Sequence, residues 1–252
     1  MFRTLIAKEL LEQRRTSKLL VVVLVFFVAG MISPLLAKYT PQLLASIPNL
    51  PPGLAGVIPK PTVDDAVAQY IKNLSQFGVL LAILFTMGTV AQEKERGTLG
   101  MLLVKPVRRS TVMLAKWLAG VYSLVTGLVL SSLACLFYTW VLFEPLPLVK
   151  YLALNALLAV FLVVYHTMAL LASTLARSQT MAAAGAFGAL VAMLILDSIP
   201  RLGDLFPGEL LSWGVALMIG EVRPAWGALA TSLGIVLVAI FLACAFLERE
   251  EI

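Results

Sequence analysis

The sequence predicts an all-α membrane protein with about six transmembrane helices. Three observations lead there. The chain of 252 residues is 60% hydrophobic and only 13% charged, whereas a soluble domain carries about 25% charge. Its mean hydropathy of +0.96 is too high for a water-soluble core. Its apolar residues gather into runs of the roughly 20 residues that a helix needs to cross the hydrocarbon layer. The net charge of +5 does not point to nucleic acid, because the basic residues lie between apolar runs, where they report orientation.

The elements follow in chain order. In Met1–Lys18, Phe2, Leu5, Ile6 and Leu10 fall on one side of a helical wheel, and Thr4, Lys8 and Arg15 on the other. Glu9 sits on the apolar side and Leu11 on the polar one. The pattern fits an amphipathic interfacial helix in the inner headgroup layer; the plainer alternative is a basic flank that only fixes orientation. Leu19–Ala37 is the first span, too long for a signal-peptide core and without a small-x-small cleavage site after it. A Pro-rich stretch follows, with Pro41, Pro48, Pro51, Pro52, Pro59 and Pro61. It ends at Asp64 and Asp65 and is expected to interrupt the helix.

The second span is Leu74–Ala91, and a charged segment runs from Gln92 to Ser110. The third span is Val112–Phe143, with Ser110 as its expected cap. After a turn with Pro145 and Pro147 come the fourth span, Tyr151–Leu175, and the fifth, Thr180–Ile199. The sixth is Trp226–Leu247. Between the last two, Pro200–Ala225 holds the apolar run Leu210–Ile219, too short to span. It reads as an external re-entrant or interfacial helical element; a seventh span there would put the C-terminus outside.

Orientation follows from Lys and Arg. Arg3, Lys8, Arg14, Arg15, Lys18, Lys94, Arg96, Lys105, Arg108, Arg109, Lys116, Arg177 and Arg249 fall on one side. Lys38, Lys60, Lys72, Lys150, Arg201 and Arg223 fall on the other. The first side, about twice as rich, is the cytoplasmic one by the positive-inside rule, so both termini are expected in the cytoplasm. Neither a repeat nor a separable soluble domain is visible, so residues 1–252 read as one transmembrane domain.

Segment 92–110 is the most informative. Glu93, Glu95 and Arg96 should extend the second span, Gly97 can supply a left-handed turn, and Leu99, Leu102 and Leu103 show i, i+3, i+4 spacing. Pro106 ends the pattern. A bare solvated loop would not need three spaced leucines. In the fifth span, Ala184/Gly188 and Gly185/Ala189 are small-xxx-small pairs that allow close helix approach, within one subunit or across a dimer.

Polar residues inside spans (Tyr122, Ser123, Thr126, Ser131, Ser132, Asn155, Tyr165, His166, Thr167, Asp197) are expected to bond their own backbone or a neighbouring helix. His166 is the single histidine, which excludes a histidine-rich metal site within one chain. Asp197 lies near the outer end of its span. Cys135 and Cys244, each inside an apolar run, read as small buried hydrophobes.

Glu93-x-Glu95-Arg96-Gly97-Thr98-Leu99, then Leu102-Leu103 and Pro106-Val107-x-Arg109, resembles the cytoplasmic motif of type-2 ABC exporter permeases. The motif's position, between the second and third of about six spans and after a basic N-terminal helix, matches as well. The chain departs from the pattern at Gly100, where an acidic residue is common. The resemblance implies one transmembrane half of an exporter, pairing with a second permease subunit and docking a cytoplasmic ABC ATPase. Glu93, Glu95, Arg96, Gly97, Thr98, Leu99, Leu102 and Leu103 would form its coupling helix, and ATP and Mg would be held by the partner. The residues agree on one point of their own: no G-x-x-x-x-G-K-[ST] loop occurs, so any ATP hydrolysis needs another chain.

Other classes are weaker. An ion-coupled secondary transporter usually carries ionisable residues at mid-membrane, and these spans are almost free of charge. An intramembrane enzyme would need a zinc motif, an aspartate pair or a serine beside a base. A non-transporting membrane scaffold that recruits a cytoplasmic partner would look the same as a permease. The expected location is the inner (plasma) membrane.

Overall fold

The computed structural model describes residues 2–45, 60–98, 108–221 and 223–250. Among them, six helices are long and apolar enough to cross a membrane. These are α2 (Lys18–Ala45), α3 (Val63–Thr86), α5 (Arg109–Leu142), α6 (Leu148–Leu175), α7 (Gln179–Ser198) and α9 (Trp226–Arg249). Shorter helices are α1 (Phe2–Arg15), α4 (Ala91–Glu95) and α8 (Gly208–Ile219), the last preceded by a 3-10 turn at Gly203–Leu205. No strand occurs among the described residues.

The spans match expectation in number and order, but some ends differ for physical reasons. Helix α2 continues past Ala37 and takes in both Pro34 and Pro41, so Pro41 does not interrupt it. A hydroxyl residue precedes each proline and donates to a carbonyl of the same turn. Ser33 reaches Ala29 O at 2.6 Å and Thr40 reaches Leu36 O at 2.5 Å, back-bonds one residue before the carbonyls of Gly30 and Ala37 that the two prolines leave without an i+4 donor.

Helix α3 starts at Val63, well before Leu74, through a capping box: Thr62 Oγ1 accepts from Asp65 N, and Asp65 Oδ2 accepts from Thr62 N at 2.8 Å. Asp64 and Asp65 therefore open a helix, where its dipole favours acids. They do not close a loop. The expected Ser110 cap is not made; Arg108 is the N-cap of α5, without a side-chain bond, and Ser110 lies inside the helix.

Helix α6 is the centre of the bundle. It packs against α3, α5, α7, α8 and α9, while α2 lies along α5 and α3. The core gathers Phe26, Tyr70, Leu74, Leu154, Leu158 and Leu162, all buried. Lipid gives helices no hydrophobic reason to associate, so close packing and interhelical hydrogen bonds matter. Tyr70 Oη donates to Asn155 Oδ1 at 2.7 Å, Asn155 Nδ2 to Tyr151 O at 2.9 Å, and Tyr151 Oη to Ser132 O at 3.0 Å. Asn73 Nδ2 donates to Ser33 Oγ at 2.9 Å. Four spans are thereby tied in the half of the bundle away from the termini, and Thr126, Ser123 and Thr167 bond carbonyls of their own helices.

Both termini lie at one end of the bundle, since Glu9 reaches Lys116 and Arg109 reaches the carbonyl of Leu247. At the opposite end Lys38 donates to Leu142 O at the close of α5, and Trp213 of α8 meets Trp226 edge-on at 5.2 Å. Replacing Tyr70 with Phe removes the donor to Asn155 and should cost about 1 kcal/mol. Thermal unfolding in detergent should show a lowered midpoint; an unchanged midpoint would mean that this tie adds nothing.

Candidate functional site

The site begins with a break. Helix α3 stops at Thr86, and α4 starts at Ala91. A break orphans backbone N–H and C=O groups, and here it is buried, so they cannot turn to water. Ser173 of α6 supplies the partners: its Oγ accepts from Val90 N at 3.0 Å and Ala91 N at 3.1 Å, and donates to Met87 O at 2.7 Å.

Three consecutive charged residues on α4 then reach three different parts of the bundle. Glu93 Oε1 lies 2.7 Å from Lys116 Nζ on α5, and Lys116 lies 3.4 Å from Glu9 on α1. Lys94 Nζ donates to Thr174 O at the end of α6 at 2.5 Å and pairs with Glu250 just beyond α9. Glu95 Oε2 accepts from Gln179 N at 3.0 Å, on the first residue of α7, where the helix dipole favours an anion. Arg109 Nη1 adds bonds to Leu247 O and Glu250 O at 3.0 and 2.5 Å, serving open carbonyls at the end of α9.

Lys116 is the buried member, 3% exposed, and Glu9 is 6% exposed. Removing a charge from water is costly, and attraction offsets that only when the partners are close and well bonded. Glu9 also bonds Lys8 at 2.9 Å, and Lys8 reaches Glu12 at 3.3 Å. Burial pulls the Lys8 pKa down, but its hydrogen bond to Glu9 and the charges of Glu9, Glu12 and Glu93 outweigh it, so the net shift is upward. Carboxylate oxygens of Glu9, Glu12 and Glu93 come within 4.8 Å of one another, and the two lysines among them supply the compensating charge. Glu93 Oε2 is buried without a hydrogen-bond partner. A cavity of about 70 Å³ adjoins the cluster, lined in part by Gln13, Thr89, Gln92 and Ser123.

His166 closes the site on the membrane side. Its Nε2 lies 3.2 Å from Trp117 O and its Nδ1 2.8 Å from Thr86 Oγ1. A carbonyl only accepts, so Nε2 carries the hydrogen and Nδ1 accepts from Thr86. With both nitrogens engaged, the ring is a tie between α3, α5 and α6. Gly120 makes room for it, since a Cβ there would run into the ring.

The sequence-predicted residues divide accordingly. Glu93 is half-buried beside Lys116, whereas Glu95 is exposed and reaches sideways to Gln179 N at the start of α7. Arg96, Gly97 and Thr98 are exposed. Gly97 has φ +68°, the left-handed turn expected of it, and Thr98 Oγ1 donates to Glu93 O at 3.3 Å. Leu99, Gly100, Leu102, Leu103 and Pro106 lie outside the described residues. On α7, Ala184, Gly185 and Gly188 are exposed and Ala189 is half-buried. A Cβ at Gly188 would meet nothing within 4 Å, so within one chain this stripe packs little. The small residues that α7 buries are instead Ala182 and Ala186.

Sequence reasoning missed Lys116, which counted only as an orientation charge, along with Ser173, Lys94 and Glu250. The one available signal was Glu9, an acid on the apolar side of α1. Lys116→Met should leave half-buried Glu93 without a cation and buried Glu9 with Lys8 alone, and destabilise the protein by about 3 kcal/mol. The triple variant Glu9→Gln, Glu93→Gln, Lys116→Met should recover most of it. Unfolding midpoints that fall equally in both would show that packing, not charge, is what was lost.

Comparison with known proteins agrees with this architecture. The family model described as "ABC-2 family transporter protein" matches residues 3–203, about four-fifths of the chain. Over 255 residues the chain is 26% identical to the "Uncharacterized transmembrane protein YxlG" of Bacillus subtilis (strain 168), covering 98% of this chain and 97% of that one.

Proposed function

This chain belongs to the ABC-2 transporter family, whose members are membrane transport permeases that normally work with an ABC ATPase, and we propose that it is the transmembrane subunit of an ATP-driven exporter. Two permease chains would pair, each docked to a separate cytoplasmic ATPase that holds ATP and Mg. The end of the bundle that carries both termini would face the cytoplasm from the inner (plasma) membrane.

The observation that supports this reading is the fastening of α4. A docked ATPase that moves segment 97–107 would pull on a short helix whose Glu93, Lys94 and Glu95 lead to α5 and α1, to α6 and α9, and to α7. One displacement is thereby shared by most of the bundle, as alternation between inward-facing and outward-facing states requires. Arg96, Thr98, Leu99, Leu102 and Leu103 would face the ATPase, while Glu93 and Glu95 hold the segment to the spans. The stripe of exposed Ala184, Gly185 and Gly188 with half-buried Ala189 would face the second permease. An ion-coupled carrier is less well supported, because His166, its most plausible proton carrier, is engaged at both nitrogens.

Purification in mild detergent should bring down an ABC ATPase, and replacing residues 99–103 with a Gly/Ser linker should lose it. Lys94→Met with Glu95→Gln should keep the ATPase but abolish most of the nucleotide-dependent change in labelling of a cysteine placed at Ala184. A protein that purifies alone under every condition would move the scaffold and ion-coupled readings ahead.

A further inference from the structure

At the end of the bundle opposite the termini, α3, α6, α7 and α8 leave a groove of about 570 Å³. Its walls are mainly apolar, with Phe77 and Leu80 from α3, Phe161 from α6, Leu194 from α7 and Leu211 from α8, and with Ser75, Gln76 and Tyr165 as the uncharged polar residues among them. Its one charged lining residue is Asp197, in the last turn of α7. The carboxylate makes a single long hydrogen bond, to Gly208 N at 3.3 Å, and no ion pair among the described residues. Asp197 also lines a second, polar cavity of about 210 Å³, together with Ser198, Asp204, Glu209 and Ser212. No Lys or Arg lines either space.

Asp197 is half-buried at the outer end of its span, and where its carboxylate borders the apolar groove no cation lies beside it. Neutral apolar molecules would leave it uncompensated, and anions would meet the like charges of Asp197, Asp204 and Glu209. We infer that the groove binds a lipophilic cation, an apolar body carrying one positive charge, with Asp197 pairing the charge and the leucine and phenylalanine walls holding the body. The polar cavity beyond offers two more carboxylates toward the outer end, so the cation would leave along a path of favourable charge. As a statement of what is exported, this rests on the exporter reading; binding itself requires only this chain.

The test is equilibrium binding to the full chain in phosphatidylcholine nanodiscs, with tetraphenylphosphonium and tetraphenylborate, which share a shape and differ in sign. Tetraphenylphosphonium should bind saturably, and tetraphenylborate should not. Asp197→Asn keeps an acceptor for Gly208 and should weaken binding about tenfold or more. Leu194→Trp should weaken it by filling the groove, while Glu221→Gln, a change of external charge elsewhere, should leave it unchanged. No saturable tetraphenylphosphonium binding, equal affinity in Asp197→Asn, or saturable binding of both ions alike would overturn the inference. An ATPase that co-purifies with a chain that does not bind would remove the groove and leave the exporter; saturable binding by a chain that purifies alone would do the reverse.

Discussion

Lys116 carries a full charge into a place that solvent does not reach, and the terminal end of the bundle is arranged around it. A lone buried ammonium would be untenable. Two carboxylates from elements far apart in the chain, Glu9 and Glu93, make it tenable. The requirement runs both ways, because each carboxylate is itself withdrawn from water. It fixes where α1 lies against α5 and which way α4 is turned. With Glu93 held inward, Lys94 and Glu95 fall beside α6 and the start of α7, where a carbonyl and an amide are open to them.

The break between α3 and α4 gives this cluster its mechanical meaning. A continuous helix would bind α4 to the axis of α3 and leave it no independent movement. A break with unserved amides would be costly at this depth. Ser173 satisfies three backbone groups with one hydroxyl, so the break is both tolerated and local. The His166 tie, one turn above, keeps the spans together where the helix is interrupted. The cytoplasm-facing role proposed for segment 97–107 thus rests on a hinge followed by three fastenings.

Hydropathy made the six spans legible, because a bilayer imposes length and apolarity on anything that crosses it. The ends were less legible, since they are set by single side chains. Pro41 reads as a stop but lies inside α2, because membrane helices tolerate proline that a soluble helix would not, and Asp64–Asp65 reads as a loop although Thr62 and Asp65 have capping-box spacing. The coupling segment was recognisable as a motif, but the direction of its charges was not. Glu93 and Glu95 could point outward or inward on any wheel, and only the positions of Lys116 and Gln179 decide. Lys116 itself sits about two turns into α5, where a count of basic residues cannot separate a topology signal from a buried partner.

Helix α7 connects the two ends of the protein. Its first residue is held by Glu95 of the junction, and its last turn carries Asp197 at the groove. Its 20 residues form a rod of about 30 Å without an internal proline. It is also among the least buried of the spans, held inside mainly by Ala182, Ala186 and Met193. A rod held at its first residue by Glu95 and at its last turn by Gly208 N, and lightly packed between, would tilt as a unit if the first hold moved. Displacement of α4 would therefore reach Asp197 through the backbone of α7, with no need for a chain of side-chain rearrangements through the core. The same tilt would shift Leu190 and Leu194 against Phe77 and Leu80 across the groove, changing its width and the setting of its one carboxylate together.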